Sequence, residues 1–121
     1  MIKRIKFIGI PVYDQERELL FYTEKLGFKV FTDQPFNEKQ RWIELTIPGA
    51  ATAVVLFTPE GQEDRIGTFL NSSWEVDYVV KTYQELSANG VEFAGPPQDQ
   101  PWGTFVIMKD SERNLICLAG K

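Results

Sequence analysis

Histidine is absent from this chain. Without imidazole there is no histidine-ligated metal, no Ser-His-Asp triad and no base of the usual kind for a cysteine nucleophile. Cysteine occurs once, as Cys117, so no internal disulfide can form and the composition fits a reducing cytoplasm. Positive charge is in short supply: 13 Lys and Arg stand against 17 Asp and Glu, for a net charge of −4. A nucleic-acid surface needs clustered cations to displace counterions, so nucleic acid is not the expected partner. Lys3, Arg4 and Lys6 do cluster, but charges at a chain end read as a solvated group. No apolar run is long enough to span a bilayer, and the stretch from Met1 to Phe7 lacks the apolar centre of a secretion signal. No glycine-rich phosphate loop follows any strand-like segment, Gly9 and Gly95-Pro96-Pro97 included.

What remains is an ordinary globular composition in 121 residues, 43% hydrophobic and 25% charged, enough for one well-buried domain. Within it two segments look alike. Asp14 and Gly27, like Asp77 and Gly90, lie 13 positions apart, at an offset of 63. Asp at the front of a helix accepts orphan N–H groups, and Gly at its end permits a left-handed cap. Leu19, Leu20, Phe21, Tyr22 and Leu26 give the first helix a broad apolar face; Val79, Val80, Tyr83 and Leu86 do so more sparsely for the second.

Each helix follows a strand-like run, Ile8–Val12 and Trp74–Val76, and precedes more of them. In the first half these are Lys29–Thr32, Arg41–Ile47 and Thr52–Thr58; in the second, Glu92–Ala94, Thr104–Lys109 and Leu115–Ala119. Turn-forming residues separate them, Pro35-Phe36-Asn37, Pro48-Gly49, Gly95-Pro96-Pro97 and Asp110 to Asn114. Both halves therefore read strand, helix, strand, strand, strand. The expected organisation is a duplicated βαβββ unit, about 1–58 and 66–121, joined through Pro59–Asp64.

The segment Phe21-Tyr22-Thr23-Glu24-Lys25-Leu26-Gly27-Phe28 resembles the helix end of the vicinal oxygen chelate superfamily, which includes glyoxalase I, bleomycin-resistance proteins and extradiol dioxygenases. Pro101-Trp102-Gly103, then Asp110 to Asn114 with Leu115-Ile116, is similar to that family's closing motif. The resemblance covers nearly the whole chain in the right order. It implies an α+β fold in which two βαβββ modules form a curved mixed-sheet half-barrel with a cleft. It also implies a homodimer with one cleft for each pair of modules. Metal enzymes and metal-free binders share that scaffold, so fold alone does not choose between them.

The family's metal enzymes carry ligands, typically His and Glu, near the start of each module's first strand and in its last strand. Carried over, these positions are Phe7, Asn71 (Leu70 if the repeat is aligned without a gap) and Cys117. Phe offers no lone pair, Asn is a weak donor, and a lone thiolate in an apolar strand would not hold Zn²⁺ or Fe²⁺. No metal and no other cofactor is expected, which argues against glyoxalase, dioxygenase and fosfomycin-type transferase chemistry. Cys117 reads as a structural thiol with no base beside it.

Other groups remain to line a cleft. In Trp42-Ile43-Glu44-Leu45-Thr46-Ile47 the alternation places Trp42, Glu44 and Thr46 on one face. Glu75 shares a polar strand face with Ser73, Asp77 and Asn71, and Trp102 occupies a loop. Alternation in a half-exposed strand would equally leave Glu44 on a solvated or dimer-facing surface. Phe21, Tyr22, Phe28, Trp74 and Phe93 are expected in the core.

The ligand-binding candidates are thus Phe7, Trp42, Glu44, Asn71, Glu75, Trp102 and Cys117, with no catalytic or metal residue among them. They suit a metal-free cleft for a flat or cationic small molecule, held by stacking and cation–π attraction, as in the bleomycin-resistance branch. Two other readings stay open. One is an enzyme using carboxylates such as Glu44, without metal or with a hard cation. The other is a regulatory module whose cleft is filled by its own side chains.

Overall fold

A computed structural model describes residues 1–121. The chain divides into two compact units, Met1–Ile66 and Gly67–Lys121, each built on its own sheet.

In the first unit β1 (Phe7–Pro11) leads into a helix, followed by β2 (Lys29–Pro35), β3 (Arg41–Thr46) and β4 (Ala53–Phe57). The sheet order is β1-β4-β3-β2, with β1 parallel to β4 and the other pairs antiparallel. Side chains alternate across it. Ile10, Ile43, Leu45, Val54 and Leu56 are wholly buried on one face, and α1 (Gln15–Leu20) packs against β3 and β4 there. The N-cap is Asp14, whose carboxylate accepts the Arg17 N–H at 3.0 Å, as expected from its position.

The helix expected to run on to Gly27 changes character half-way. From Phe21 to Lys25 it widens into a π-helical turn, closed by Phe28 N–H donating to Tyr22 O at 3.0 Å. Neighbours in a regular α-helix point about 100° apart, and Phe21 and Tyr22 are both buried here. The wider turn accommodates both: they touch at 5.1 Å between ring centroids, and Tyr22 meets Phe28 at 5.7 Å. Gly27 ends the segment at φ +79°, a value that favours glycine. Leu20, expected on the apolar face, is exposed.

The second unit repeats the plan. β5 (Ser73–Val76) precedes α2 (Val79–Ala88), then β6 (Glu92–Phe93), β7 (Gln98–Gln100), β8 (Gly103–Lys109) and β9 (Leu115–Gly120). Its order β5-β9-β8-β6 matches the first sheet strand for strand, again with one parallel pair, β5 with β9. Val106, Met108, Ile116 and Leu118 are buried on the face that receives α2.

Three expectations need correction here. β7 was not foreseen, because Gln98, Asp99 and Gln100 show no apolar alternation; they pair with Phe105, Thr104 and Gly103 across a tight hairpin. Asp77 is not the N-cap of α2: that position is Tyr78, without a side-chain cap. The backbone serves instead, Val79 N–H donating to Lys121 O at 2.8 Å and Lys121 N–H to Asp77 O at 3.4 Å. Gly120 makes this closure feasible, since a Cβ there would lie 2.0 Å from Val76 O. Finally, Asn71 is not on a strand: β5 begins at Ser73, and Asn71 lies exposed in the preceding segment.

The link between β8 and β9 is a buried polar turn. Asp110 Oδ1 accepts N–H groups from Glu112 and Asn114, both at 2.9 Å, and Asp110 Oδ2 accepts the Asn114 side-chain amide at 2.9 Å. Asn114 Oδ1 in turn accepts the Gly67 N–H at 3.2 Å. All three side chains are buried, so these bonds are not exchanged for water.

Candidate ligand-binding site

The sheet face opposite α1 collects most of the first unit's candidates. The β1–β4 register sets Phe7 beside Ala53, Gly9 beside Val55 and Pro11 beside Phe57. Glu44 lies across from Val55 and from Thr32. Phe7 and Trp42 meet edge to face, 5.7 Å between centroids at 81°, and Phe36 leans on Trp42 at 5.9 Å. These three rings and Phe57 line a cavity of about 340 Å³, with Gln40, Arg41 and Gly9 also at its wall.

Phe57 crosses Gly9, so a side chain at position 9 would push its ring aside. A Cβ there would sit 2.9 Å from the Phe57 ring. Arg41 carries no free charge into the cavity. Its guanidinium is held bidentately by Asp33 at 2.8 and 3.0 Å and by Glu16 at 3.0 Å. That pairing raises the Arg41 pKa above its ordinary value and, through the Arg41 hydrogen bond, lowers that of Asp33. Gln15 fastens the strand ends: its amide donates to Arg41 O at 2.8 Å and Leu56 O at 2.9 Å, and accepts the Arg41 N–H at 2.9 Å.

Glu44 is buried, at 9% exposure, where strand alternation alone had also allowed a solvated position. The indole N–H of Trp42 donates to its carboxylate at 3.4 Å. Glu44 borders a neighbouring cavity of about 430 Å³, with Arg4, Lys6, Phe31 and Thr46. Arg4 is tied down by donating to Ala51 O.

In the second unit Glu75 and Trp102 line one cavity of about 870 Å³, together with Tyr78, Thr104 and Phe105. Trp102, in the β7–β8 turn, is 83% exposed, and Tyr78 is exposed beside it. Asn71 and Cys117 border none of these three cavities. Cys117, half-buried on β9, has Ser73 and Ile107 as its cross-strand neighbours.

Gly9 was readable in principle as a gap in β1, but Phe57 was not, since Ala53–Phe57 is apolar throughout and shows no alternation. Phe36 was not, since it sits in a turn whose direction only the fold sets. Tyr78 and Phe105 come together with Glu75 through the β5–β9–β8 register, which links residues far apart in sequence.

The sequence profile of the Glyoxalase/Bleomycin resistance protein/Dioxygenase superfamily matches residues 4–118. The chain belongs to that superfamily. Among its relatives is the uncharacterized protein YetH of Bacillus subtilis, 35% identical over 98% of both chains. A superfamily member from Sphaerobacter thermophilus has the same fold at TM-score 0.89 and 29% identity, covering 99% of this chain and 98% of that one. TnmS3, described as an antibiotic binding protein from Streptomyces sp. CB03234, superimposes at TM-score 0.86 and 30% identity, covering 98% of this chain and 96% of that one. The superfamily's mixed α+β fold with two sheets and few helices is therefore the fold of this chain. No helix is long and apolar enough to cross a membrane.

The superfamily includes metal enzymes, and this donor set does not fit a metal. Phe7 packs its ring on Trp42 and has no lone pair to offer. Asn71 is off the strand, Cys117 has only the weakly donating Ser73 hydroxyl and the apolar Ile107 as cross-strand neighbours, and no three His, Cys, Asp or Glu side chains converge anywhere in the chain.

Proposed function

We propose that the protein binds a small molecule, without metal, in aromatic-lined cavities on its two sheets. One observation carries the reading. At the strand position where the family resemblance places a metal ligand, Phe7 instead meets Trp42 edge to face at the wall of a cavity. Aromatic walls with few polar groups are the usual lining of a small-molecule site. The likeness to an antibiotic binding protein favours sequestration of a small molecule, and the aromatic walls favour an aromatic or cationic one. Assembly as a homodimer in the cytoplasm belongs to the same proposal. So does a binding role for all seven candidates, with Phe7, Trp42, Glu44, Glu75 and Trp102 the strongest because they line cavities.

The test is a thermal-shift screen of neutral and cationic aromatic compounds. A binder at 100 times its Kd stabilises the native state by about 2.7 kcal/mol, several degrees in Tm for a domain of this size. Trp42→Ala or Trp102→Ala should abolish the rise. A screen without any hit, or a bound metal at one equivalent per chain, would sink the reading.

Burial of Glu44 beside its own cavity favours a second reading, an enzyme that uses this carboxylate as a base. A turnover that survives Glu44→Gln would eliminate it.

A further inference from the structure

The aromatic cavity of the first unit has a geometry that selects among small molecules. A flat polycyclic ligand is best held between two parallel faces. Here the rings already touch one another: Phe7 stands at 81° to Trp42, and Phe36 is tilted 37° to it at 5.9 Å. They form a corner and a side wall, with Phe57 laid across Gly9 as a further wall. Trp42 leaves no slot between itself and either Phe7 or Phe36. A space of about 340 Å³ walled by rings in several orientations is shaped for a compact, rounded group.

Charge narrows the choice further. The only ionised side chain at this wall is Arg41, and two carboxylates, Asp33 and Glu16, hold it at 2.8–3.0 Å. Its charge is more than matched. The Trp42 indole N–H points at the Glu44 carboxylate, and donation to an anion enriches the ring's π-face. Arg4 and Lys6 line the cavity next door with Glu44, not this one. The Gln40 amide at the wall is occupied as well. Gln40 accepts the Thr58 N–H at 3.0 Å and donates to Thr58 O at 3.1 Å and to Glu60 at 2.9 Å, so its amide is engaged within the protein.

The geometry points to an alkylated ammonium group as the occupant, its methyls against Phe7, Phe36 and Phe57 and its charge attracted to Trp42. This assignment rests on the small-molecule reading above and gives its cargo a chemical class. Trp42 is the principal contact. Glu44 is a positioning residue that fixes the indole and raises its attraction for a cation. Gly9 sets the cavity's shape by letting Phe57 lie flat over β1.

The experiment uses the whole chain, labelled with ¹⁵N, and follows its indole N–H signals from Trp42, Trp74 and Trp102, assigned by Trp42→Phe and Trp102→Phe. The probe is choline, compared at equal ionic strength with 3,3-dimethylbutan-1-ol, its uncharged carbon isostere. Choline should shift the Trp42 signal saturably, bind on the order of tenfold more tightly than the isostere, and leave Trp74 and Trp102 unmoved. Glu44→Gln should weaken choline several-fold and leave the isostere unchanged. Gly9→Ala, which displaces Phe57, should weaken both. Should Gly9→Ala fail to fold, the Glu44→Gln comparison decides alone. Equal affinity for probe and isostere, a response at Trp102 alone, or no saturable shift would each overturn the assignment. If the thermal-shift screen finds aromatic ligands while choline leaves Trp42 unmoved, only the cation assignment fails. If neither binds, the small-molecule reading fails with it.

Discussion

The two units use one strand order and finish their sheets differently. In the first, the centre of the face turned away from the helix is covered, with Ala53, Val55 and Glu44 at most 9% exposed, and half-buried aromatic rings pack along its edge around a cavity. In the second, the matching face is open, with Phe105, Ile107, Cys117 and Ala119 half-buried and Glu75 exposed. The turns differ in the opposite sense. The β3–β4 link relies on Gly49 at φ +82° and one backbone bond, Ala50 to Ile47. The β8–β9 link is a buried network around Asp110. A duplicated topology thus fixes pairing order and leaves each unit free to place its polar groups on a face or in a turn.

The contrast between the turns predicts the largest effect. Asp110→Ala orphans three buried donors and should cost about 2–4 kcal/mol, read as a lower urea midpoint. Gly49→Ala should cost only about 1 kcal/mol, the strain of a left-handed backbone at an exposed turn. Equal losses would mean that the two links are energetically alike. Next comes Gln15→Ala, which unties α1 from the ends of β3 and β4 and should cost about 1–3 kcal/mol. Hydrogen exchange should then rise at Arg41 and stay unchanged in the second unit; a rise in both would break the separation.

The smallest effect is electrostatic and confined to the first unit. Arg41 holds the Asp33 carboxyl below its ordinary value, so the folded form binds that proton less readily than the unfolded chain. The stabilisation is fully present above about pH 4 and is lost as pH falls through the lower folded value. With both partners about a third exposed, the pair contributes on the order of 0.5 kcal/mol. Asp33→Asn should flatten the acid limb of the stability curve by that much. An unchanged limb would show that the ion pair contributes nothing to folding.

Much of this was legible from residues alone. Asp14 and the glycines at 27 and 90 mark helix ends because their backbone and side-chain chemistry acts within a few residues. Strand alternation placed Trp42 with Glu44 for the same reason. Asn71 was misplaced because strand limits depend on a distant partner, and β9 begins its register with β5 at Ser73. β7 was missed since its strand character comes entirely from β8. The π-turn at Phe21 answers a packing demand that a helical pattern does not encode.

By itself, the sequence determined the repeat, the superfamily fold and the lack of donors for a histidine-type metal centre, because these follow from residue identity and local periodicity. Tertiary structure alone decided that Phe7, Trp42, Phe36 and Phe57 share one cavity, and that Glu44 is buried against an indole. Those are contacts between strands and turns brought together only by sheet register. No local rule can supply them.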